Sequence, residues 1–503
     1  MTDAVARPRM DGFRGKFFLA FGSIGWGVKD AGMGLLFLFY NQVLGTPAFL
    51  AGLAIGAALV VDAIVDPIIG VLSDNWRSAW GRRHPFMYLA AVPVGVFYYM
   101  IWTPDPHWSE TGLFFYLLIV AILLRSTIAM FEIPSSALVA EMTTDYSKRT
   151  EFLSWRWLFG VLGATAISIL TFSLWLVPDA THKFGQLNPA GYPKMALVAS
   201  VVMSVSILIS CIGLHRYIPY LIQPPPQFVS VGQMARELWG TLKIKPFFVL
   251  VISGVFGSMA AGLSGVMGTY LLTFFWKLNS QQLLLFSFVG VIAAVLAFGI
   301  AAPLTQRFEK KHVAMSAGVV GIVAGVGPYI FALFGWVPDY SAAWLLPFLL
   351  TLFVVASAIS IVGSVMTGSM IADVVEFGAL QTGRRNEGAF FAALSLVNKS
   401  VSGFGFVLSS LVVAIAGFPT NANPATLDPA ILRHLLMVYL PILMVMYLFA
   451  IYFFNKYRIT RAEHAENVRR LAEIYAETGA DLETVPVGAV APATPHIAAH
   501  ADR

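Results

Sequence analysis

The sequence predicts an all-α polytopic membrane protein, and two observations carry that prediction. Of 503 residues, 58% are apolar without counting the 43 glycines, and only 12% are charged. Apolar runs of about 20 residues, the length that crosses a hydrocarbon core about 30 Å thick, recur along the chain with short polar breaks between them. A transmembrane barrel would show short alternating strands instead, and these runs are not of that kind.

Twelve runs are predicted to be helices, at 17–44, 48–73, 85–104, 111–141, 152–177, 193–219, 246–276, 281–307, 312–336, 342–373, 386–417 and 432–457. Gly and Pro inside them do not count against helix, because neighbouring transmembrane helices re-satisfy the freed backbone groups. The loops divide by charge. Arg7, Arg9, Arg14 and Lys16 precede the first run; Arg77, Arg82 and Arg83 follow the second; Lys148 and Arg149 follow the fourth. Arg216, Arg236, Lys243 and Lys245 follow the sixth, Arg307, Lys310 and Lys311 the eighth, and Arg384 and Arg385 the tenth, whereas the alternate loops carry little beyond Lys183, Lys194 and Lys277. Lys and Arg accumulate on the cytoplasmic side, so both termini are expected there. The net charge of +5 then needs no nucleic-acid partner.

A secretory signal is the competing reading of the N-terminus, but the run is too long and Lys29-Asp30 interrupts it. The single cysteine, Cys211, excludes an intramolecular disulfide and a CxxC site, and reads as a small core residue.

A weak internal repeat divides the chain. AEMTTDYSKRTE from Ala140 to Glu151 and ADVVEFGALQTGRRNE from Ala372 to Glu387 each place acids at a helix end, then an aromatic, then Arg and Glu where the next helix starts. The expected units are 1–219, a six-helix bundle; 220–245, a central cytoplasmic loop with Pro224 to Pro226 and an amphipathic stretch; 246–457, a second six-helix bundle; and 458–503, a cytoplasmic tail of one short helix followed by a disordered Pro/Ala-rich end.

Asp62 and Asp66 are the chemically loudest residues, one turn apart in the apolar run VVDAIVDPIIGVLSD and so on one helix face. An aspartate at mid-membrane is unfavourable by about 2.5–3.5 kcal/mol on insertion scales, and residues that survive there usually line an ion or solute path. A static pair of acids neutralised by Lys399 or Arg156 is the alternative. Gathered carboxylates repel one another, so a cation or proton relieves them and can bias a two-state helix arrangement.

From Gly70 to Pro85 the chain reads GVLSDNWRSAWGRRHP, with Gly70, Asp74, Arg77, Gly81, Arg82 and Arg83 at the spacing of the signature loop of the major facilitator superfamily, which it resembles. The resemblance narrows with Asp62 to Pro67 as D-x-x-x-D-P, Lys29-Asp30 in V-K-D, Glu132 in FEIP, Arg156 in SWRW and Lys399 in NKSVSG. Together these resemble the glycoside-pentoside-hexuronide cation symporters, the melibiose-permease group, over about residues 15–457.

That resemblance implies two pseudo-symmetric six-helix bundles and a sugar or glycoside as solute, carried with H+ or Na+. It gives cation coupling to Asp62, Asp66 and Glu132, and substrate contacts to Lys29, Asp30, Glu132 and Arg156, with Lys399 linking the cluster to the second half. Carboxylates and a guanidinium suit rings of hydroxyls, which they can bond bidentately. Lys29-Asp30 as a self-neutralised pair, and Arg156 as a holder of Glu132 or Asp30, are the structural alternatives.

Two departures bear on the ion and the solute. Sodium-using members add an amide and a hydroxyl where this chain has Val65 and Ala129, so a proton is favoured; Thr127 or Ser126 leave sodium at Asp62 and Asp66 open. Galactoside carriers place an aromatic where Ser136 stands, and another near Ser364. Trp26, Tyr40 and Trp157 are the candidates for a replacement sugar face, although such aromatics are more often packing or interface belt.

At the cytoplasmic helix ends, Asp74, Arg77, Arg82, Arg83, Glu141, Asp145 and Arg149 in the first half, and Asp373, Glu376, Arg385 and Glu387 in the second, form candidate gate pairs. The plain alternative for the basic members is positive-inside anchoring. Exposed pairs contribute little stability, so their role would be choosing between inward-open and outward-open states. No catalytic reading emerges: no His pair with metal-ligand spacing lies mid-span, and there is no phosphate loop or G-x-S-x-G elbow. Neither an organic cofactor nor a protein partner is expected, and the protein reads as a monomer in the lipid bilayer. A lysolipid or amphiphile transporter and a non-transporting receptor are the other function classes carried.

Overall fold

The structure, a computed structural model, describes residues 10–143, 145–221, 231–336, 342–382 and 387–478. Among these, eleven helices are long and apolar enough to cross a membrane. They match the second to twelfth predicted runs. The first run folds in three consecutive pieces: α1 (Phe13–Phe21), α2 (Ser23–Leu38) and a π-helical turn (Phe39–Val43), with Gly22 between the two helices.

Next come α3 (Ala48–Asn75), α4 (His84–Ile101), α5 (Glu110–Met142), α6 (Tyr146–Leu170) and α7 (Tyr192–His215). The central segment contributes α8 (Val231–Leu242), whose Trp239 is exposed. The second half holds α9 (Lys245–Tyr270), α10 (Ser280–Phe286), α11 (Val289–Arg307), α12 (Lys310–Leu333), α13 (Leu345–Thr382), α14 (Glu387–Ile415) and α15 (Pro429–Asn455), followed by the tail helix α16 (Arg461–Thr478).

Three predicted boundaries are corrected. The eighth run is divided at Ser287-Phe288 into α10 and α11. The fifth helix begins at Tyr146 rather than 152, because the Asp145 carboxylate caps it by accepting from the Ser147 and Lys148 amides at 2.8 and 3.2 Å. The tenth helix runs to Thr382 rather than 373, so Asp373 and Glu376 both stand within its last turns rather than at and beyond its end. The disorder expected of the tail falls on 479–503, outside the described residues.

Helix pairing repeats between the halves. α3 packs on α5, α2 on α6 and α7, and α4 on α5 and α7; correspondingly α11 packs on α13, α9 on α14 and α15, and α12 on α13 and α15. The outward surface is apolar, as on α4, where Leu89, Val92, Val96 and Tyr99 form an exposed stripe at helical spacing. Facing lipid tails, such a stripe needs no covering.

The contact that positions the site joins the halves. α3 and α14 run antiparallel with their backbones touching: a Cβ on Gly56 would lie 2.6 Å from the Gly403 carbonyl oxygen, and a Cβ on Gly403 equally close to that of Gly56. Only glycine at both places permits this approach, and small residues at crossings are how membrane helices come close.

Candidate transport site

Going one to three turns along α3 from Gly56 brings Asp62 and Asp66 level with Lys399, which precedes Gly403 by one turn on α14. The Lys399 ammonium donates to Asp66 Oδ2 and lies 3.3 Å from Asp62 Oδ2. Asp62 is buried, and Asp66 Oδ1 is buried with no hydrogen-bond partner among the described residues. The predicted pair is thus a three-membered cluster joining both halves of the chain.

A residue that sequence reasoning missed completes it. Arg125 on α5 places Nη1 3.5 Å from Asp62 Oδ2. Its signal was present: it is a charge inside the fourth predicted run, subject to the same cost as the aspartates.

The other candidates approach the cluster from α2, α5 and α6. Lys29 and Asp30 pair at 2.9 Å, with Lys29 nearly enclosed and Asp30 half exposed. Among the described residues Glu132 forms no ion pair within 4 Å, but it lies in electrostatic range of Lys29, Asp30, Lys399 and Arg156. Arg156 is buried, donates to Ser135 Oγ at 3.2 Å through Nη2, and holds Nη1 buried without a hydrogen-bond partner among the described residues. Trp26 has its indole edge over Gly160, where any Cβ would lie 2.1 Å away, so it packs α2 onto α6. Ser136 and Ser364 are exposed, and the Thr127 hydroxyl donates to the Leu123 and Leu124 carbonyls of its own helix at 2.8 and 2.9 Å.

The end of the bundle nearest the chain termini carries the signature loop. Gly81 takes φ of +75°, the left-handed region where glycine is free of Cβ strain, and turns Arg82 and Arg83 back under the helices. Both reach Glu141: Arg82 bonds Oε1 through Nε at 2.8 Å, and Arg83 Nε stands 2.7 Å from the same oxygen. Arg83 also donates to Asp74 Oδ1 at 2.9 Å. Burial lowers the Arg83 guanidinium below its ordinary value, with Glu141 and Asp74 opposing that shift.

Lys310 binds Asp373 at 2.7 Å in the second half, and His464 of the tail helix stands 3.4 Å from Asp373 and 3.0 Å from Glu376. In each half, therefore, a base following the second helix holds the acid that closes the fourth. Sequence reading named neither Lys310 nor His464 as partners, because nothing local ties them to Asp373.

Other candidate gate residues have local partners. Arg77 donates to the Asp74 and Trp76 carbonyls at the end of α3, Arg149 Nε donates to the Thr143 carbonyl at 3.0 Å, and Asp145 is the cap described above. Arg385 and the side chain of Glu387 lie outside the described residues.

At the opposite end the halves are joined by uncharged groups. The π-helical turn after α2 presents Asn41 and Gln42: Asn41 accepts from Tyr270 Oη, and Gln42 donates to the Pro419 carbonyl and accepts from the Ala422 amide, both at 3.0 Å. Gln186, fully buried in the loop before α7, donates to the Leu278 carbonyl at 2.9 Å and accepts from Ser280 Oγ at 3.0 Å. Between this end and Asp30 lies a cavity of about 200 Å³ with Gly32, Tyr98, Thr171 and Thr269 in its wall.

A family model described as MFS/sugar transport protein matches residues 18–461. The chain belongs to this family. Among curated relatives, the inner membrane symporter YicJ of Escherichia coli (strain K12) is 26% identical over 407 residues, covering 78% of this chain and 82% of its own. The isoprimeverose transporter of Lactiplantibacillus pentosus is 25% identical, covering 77% of this chain and 76% of its own. Among solved structures, the inward-open xylose transporter XylE from E. coli superposes with a TM-score of 0.60 at 14% identity, over 91% of this chain and 99% of its own, and shows the shared fold. These findings agree with the symporter group that the charged motifs resembled. The protein is a multi-pass transporter of the cell membrane and not an enzyme.

Proposed function

We propose that the chain is a proton-coupled symporter of a glycoside or other sugar-like solute, working by alternating access between two six-helix bundles with both termini cytoplasmic. The observation that carries this reading is Lys399 seated between Asp62 and Asp66. An ammonium on one half bridges two carboxylates on the other and, together with Arg125, balances their charge. A proton arriving at the pair frees Lys399, and a changed charge at the contact between halves biases the equilibrium between their two arrangements.

The curated relatives named as symporters support a coupling ion. Val65 and Ala129 beside the pair supply no ligand oxygen, which favours a proton over sodium. For the solute, Asp30, Glu132 and the free Nη1 of Arg156 offer acceptors and a donor suited to neighbouring hydroxyls. The buried amide network of Asn41, Gln42 and Gln186 then closes the outer side. Glu141 with Arg82 and Arg83, and Asp373 with Lys310, set the cytoplasmic helix ends.

Uptake of a panel of radiolabelled glycosides into proteoliposomes tests this reading. A proton gradient, acid outside, is expected to drive accumulation of at least one of them. Equal uptake with and without imposed gradients would contradict it.

A further inference from the structure

We propose that Arg125 is a resident counter-ion for Asp62, which leaves Asp66 as the one carboxylate of the pair that exchanges its partner and shuts sodium out of the site. This rests on the reading of Asp62 and Asp66 as the coupling pair. It goes beyond that reading in assigning them different tasks and in giving a task to a side chain outside the motif.

Three helices supply the observation. Arg125 from α5 and Lys399 from α14 lie 3.5 and 3.3 Å from the same oxygen of Asp62, and Lys399 continues to Asp66. The order is Arg125, Asp62, Lys399, Asp66: two cations and two carboxylates alternating, with a formal charge of zero. Lys29 from α2 and Glu132 from α5 lie in electrostatic range of the row, and behind them Asp30 from α2 pairs with Lys29 while Arg156 from α6 faces Glu132, again two of each sign.

The asymmetry follows from counting partners. When Lys399 swings away, Asp62 keeps Arg125. Among the described residues Asp66 has no ion-pair partner except Lys399, and its other oxygen is buried and unbonded. A bare buried carboxylate is costly, so the departure of Lys399 requires one new positive charge at Asp66 and none at Asp62. A proton meets that requirement, because it needs one oxygen and no ligand shell. Sodium needs several oxygens at once, and the oxygens here already face a guanidinium and an ammonium, whose repulsion opposes a further cation.

Binding of radioactive sodium to the purified full-length protein at neutral pH tests the assignment without requiring the solute. The wild type is expected to show no saturable sodium binding. Arg125→Gln leaves the row with one net negative charge and is expected to bind sodium saturably. Arg125→Lys should behave as the wild type, and the double variant Arg125→Gln with Asp62→Asn, neutral again, should lose the gained binding.

If Arg125→Gln does not fold, the double variant decides the matter. Recovery of its melting temperature supports charge balance, and no recovery overturns it. Saturable sodium binding by the wild type, or an Arg125→Gln protein indistinguishable from it, also overturns the assignment. Failure of the underlying coupling reading looks different: glycoside uptake by Asp66→Asn would still follow the proton gradient, whatever Arg125 does.

Discussion

Lys399 meets Asp66 because Gly403, one turn further along α14, touches Gly56 on α3. The glycine contact fixes how deep the ammonium sits, and the ammonium, with Arg125 on Asp62, balances the two carboxylates and is the ion-pair partner of Asp66. Packing and charge are thus coupled at the only described point where a cation of one half reaches acids of the other.

Removing that cation strands buried charge. Lys399→Ala is expected to lower stability by about 3 kcal/mol, the low end for breaking a buried pair, because the Lys399 side chain is 35% exposed. Lys399→Arg should keep most of it. Thermal unfolding of the purified variants in detergent reads both, and equal melting temperatures for Lys399→Ala and the wild type would count against the pairing.

A side chain at Gly56 has nowhere to go. Gly56→Val puts carbon within 2.6 Å of the facing carbonyl, and displacing a backbone rather than a flexible side chain puts the cost at or above the usual overpacking range of about 1–3 kcal/mol. Loss of the monodisperse gel-filtration peak, or a fall in melting temperature, checks this.

The proposed outer seal is made of neutral hydrogen bonds, each worth about 1 kcal/mol net, so it should be strong in sum and weak in parts. Gln186→Ala removes contacts to Leu278 and Ser280. The equilibrium between states is expected to shift by roughly tenfold to a hundredfold toward opening at that end. A cysteine placed at Asn41 should then react faster with an impermeant maleimide added outside; unchanged labelling would refute the seal.

The arginines of the signature loop have one strong partner and one weak one. Glu141 is buried and serves both arginines, so Glu141→Gln leaves two enclosed guanidiniums short of charge and is expected to cost about 3 kcal/mol or more. Asp74, with a side chain 51% exposed, should cost less than about 1 kcal/mol as Asp74→Asn. Melting temperatures of the two variants measure the ranking, and the opposite order would refute it.

Eleven of the twelve predicted spans were legible in the sequence because the bilayer sets one length and one polarity for every span, whereas the first run folds in pieces. The second to twelfth runs needed correction mainly at their ends, where a cap such as Asp145 decides the boundary rather than hydropathy. At the site, periodicity could place Asp62 and Asp66 on one face, and charge in an apolar run could flag Lys399. Which cation serves which acid was not legible. Arg125, Lys310 and His464 are joined to their acids across 63, 63 and 91 positions of sequence, and only helix packing brings them there. The neutral seal escaped for a related reason: Asn41, Gln42 and Gln186 look like ordinary loop-end residues until π-helical turns and a buried loop turn them toward the other half.

Asp66→Asn gives the most direct measurement, made in proteoliposomes with a glycoside that the wild type accumulates. An inwardly directed proton gradient should drive wild-type uptake above equilibrium. The variant should lose that accumulation while still exchanging labelled for unlabelled solute across the membrane. Gradient-driven accumulation that survives Asp66→Asn would show that the proton is carried elsewhere, and the pairing of Asp66 with Lys399 would then be structural.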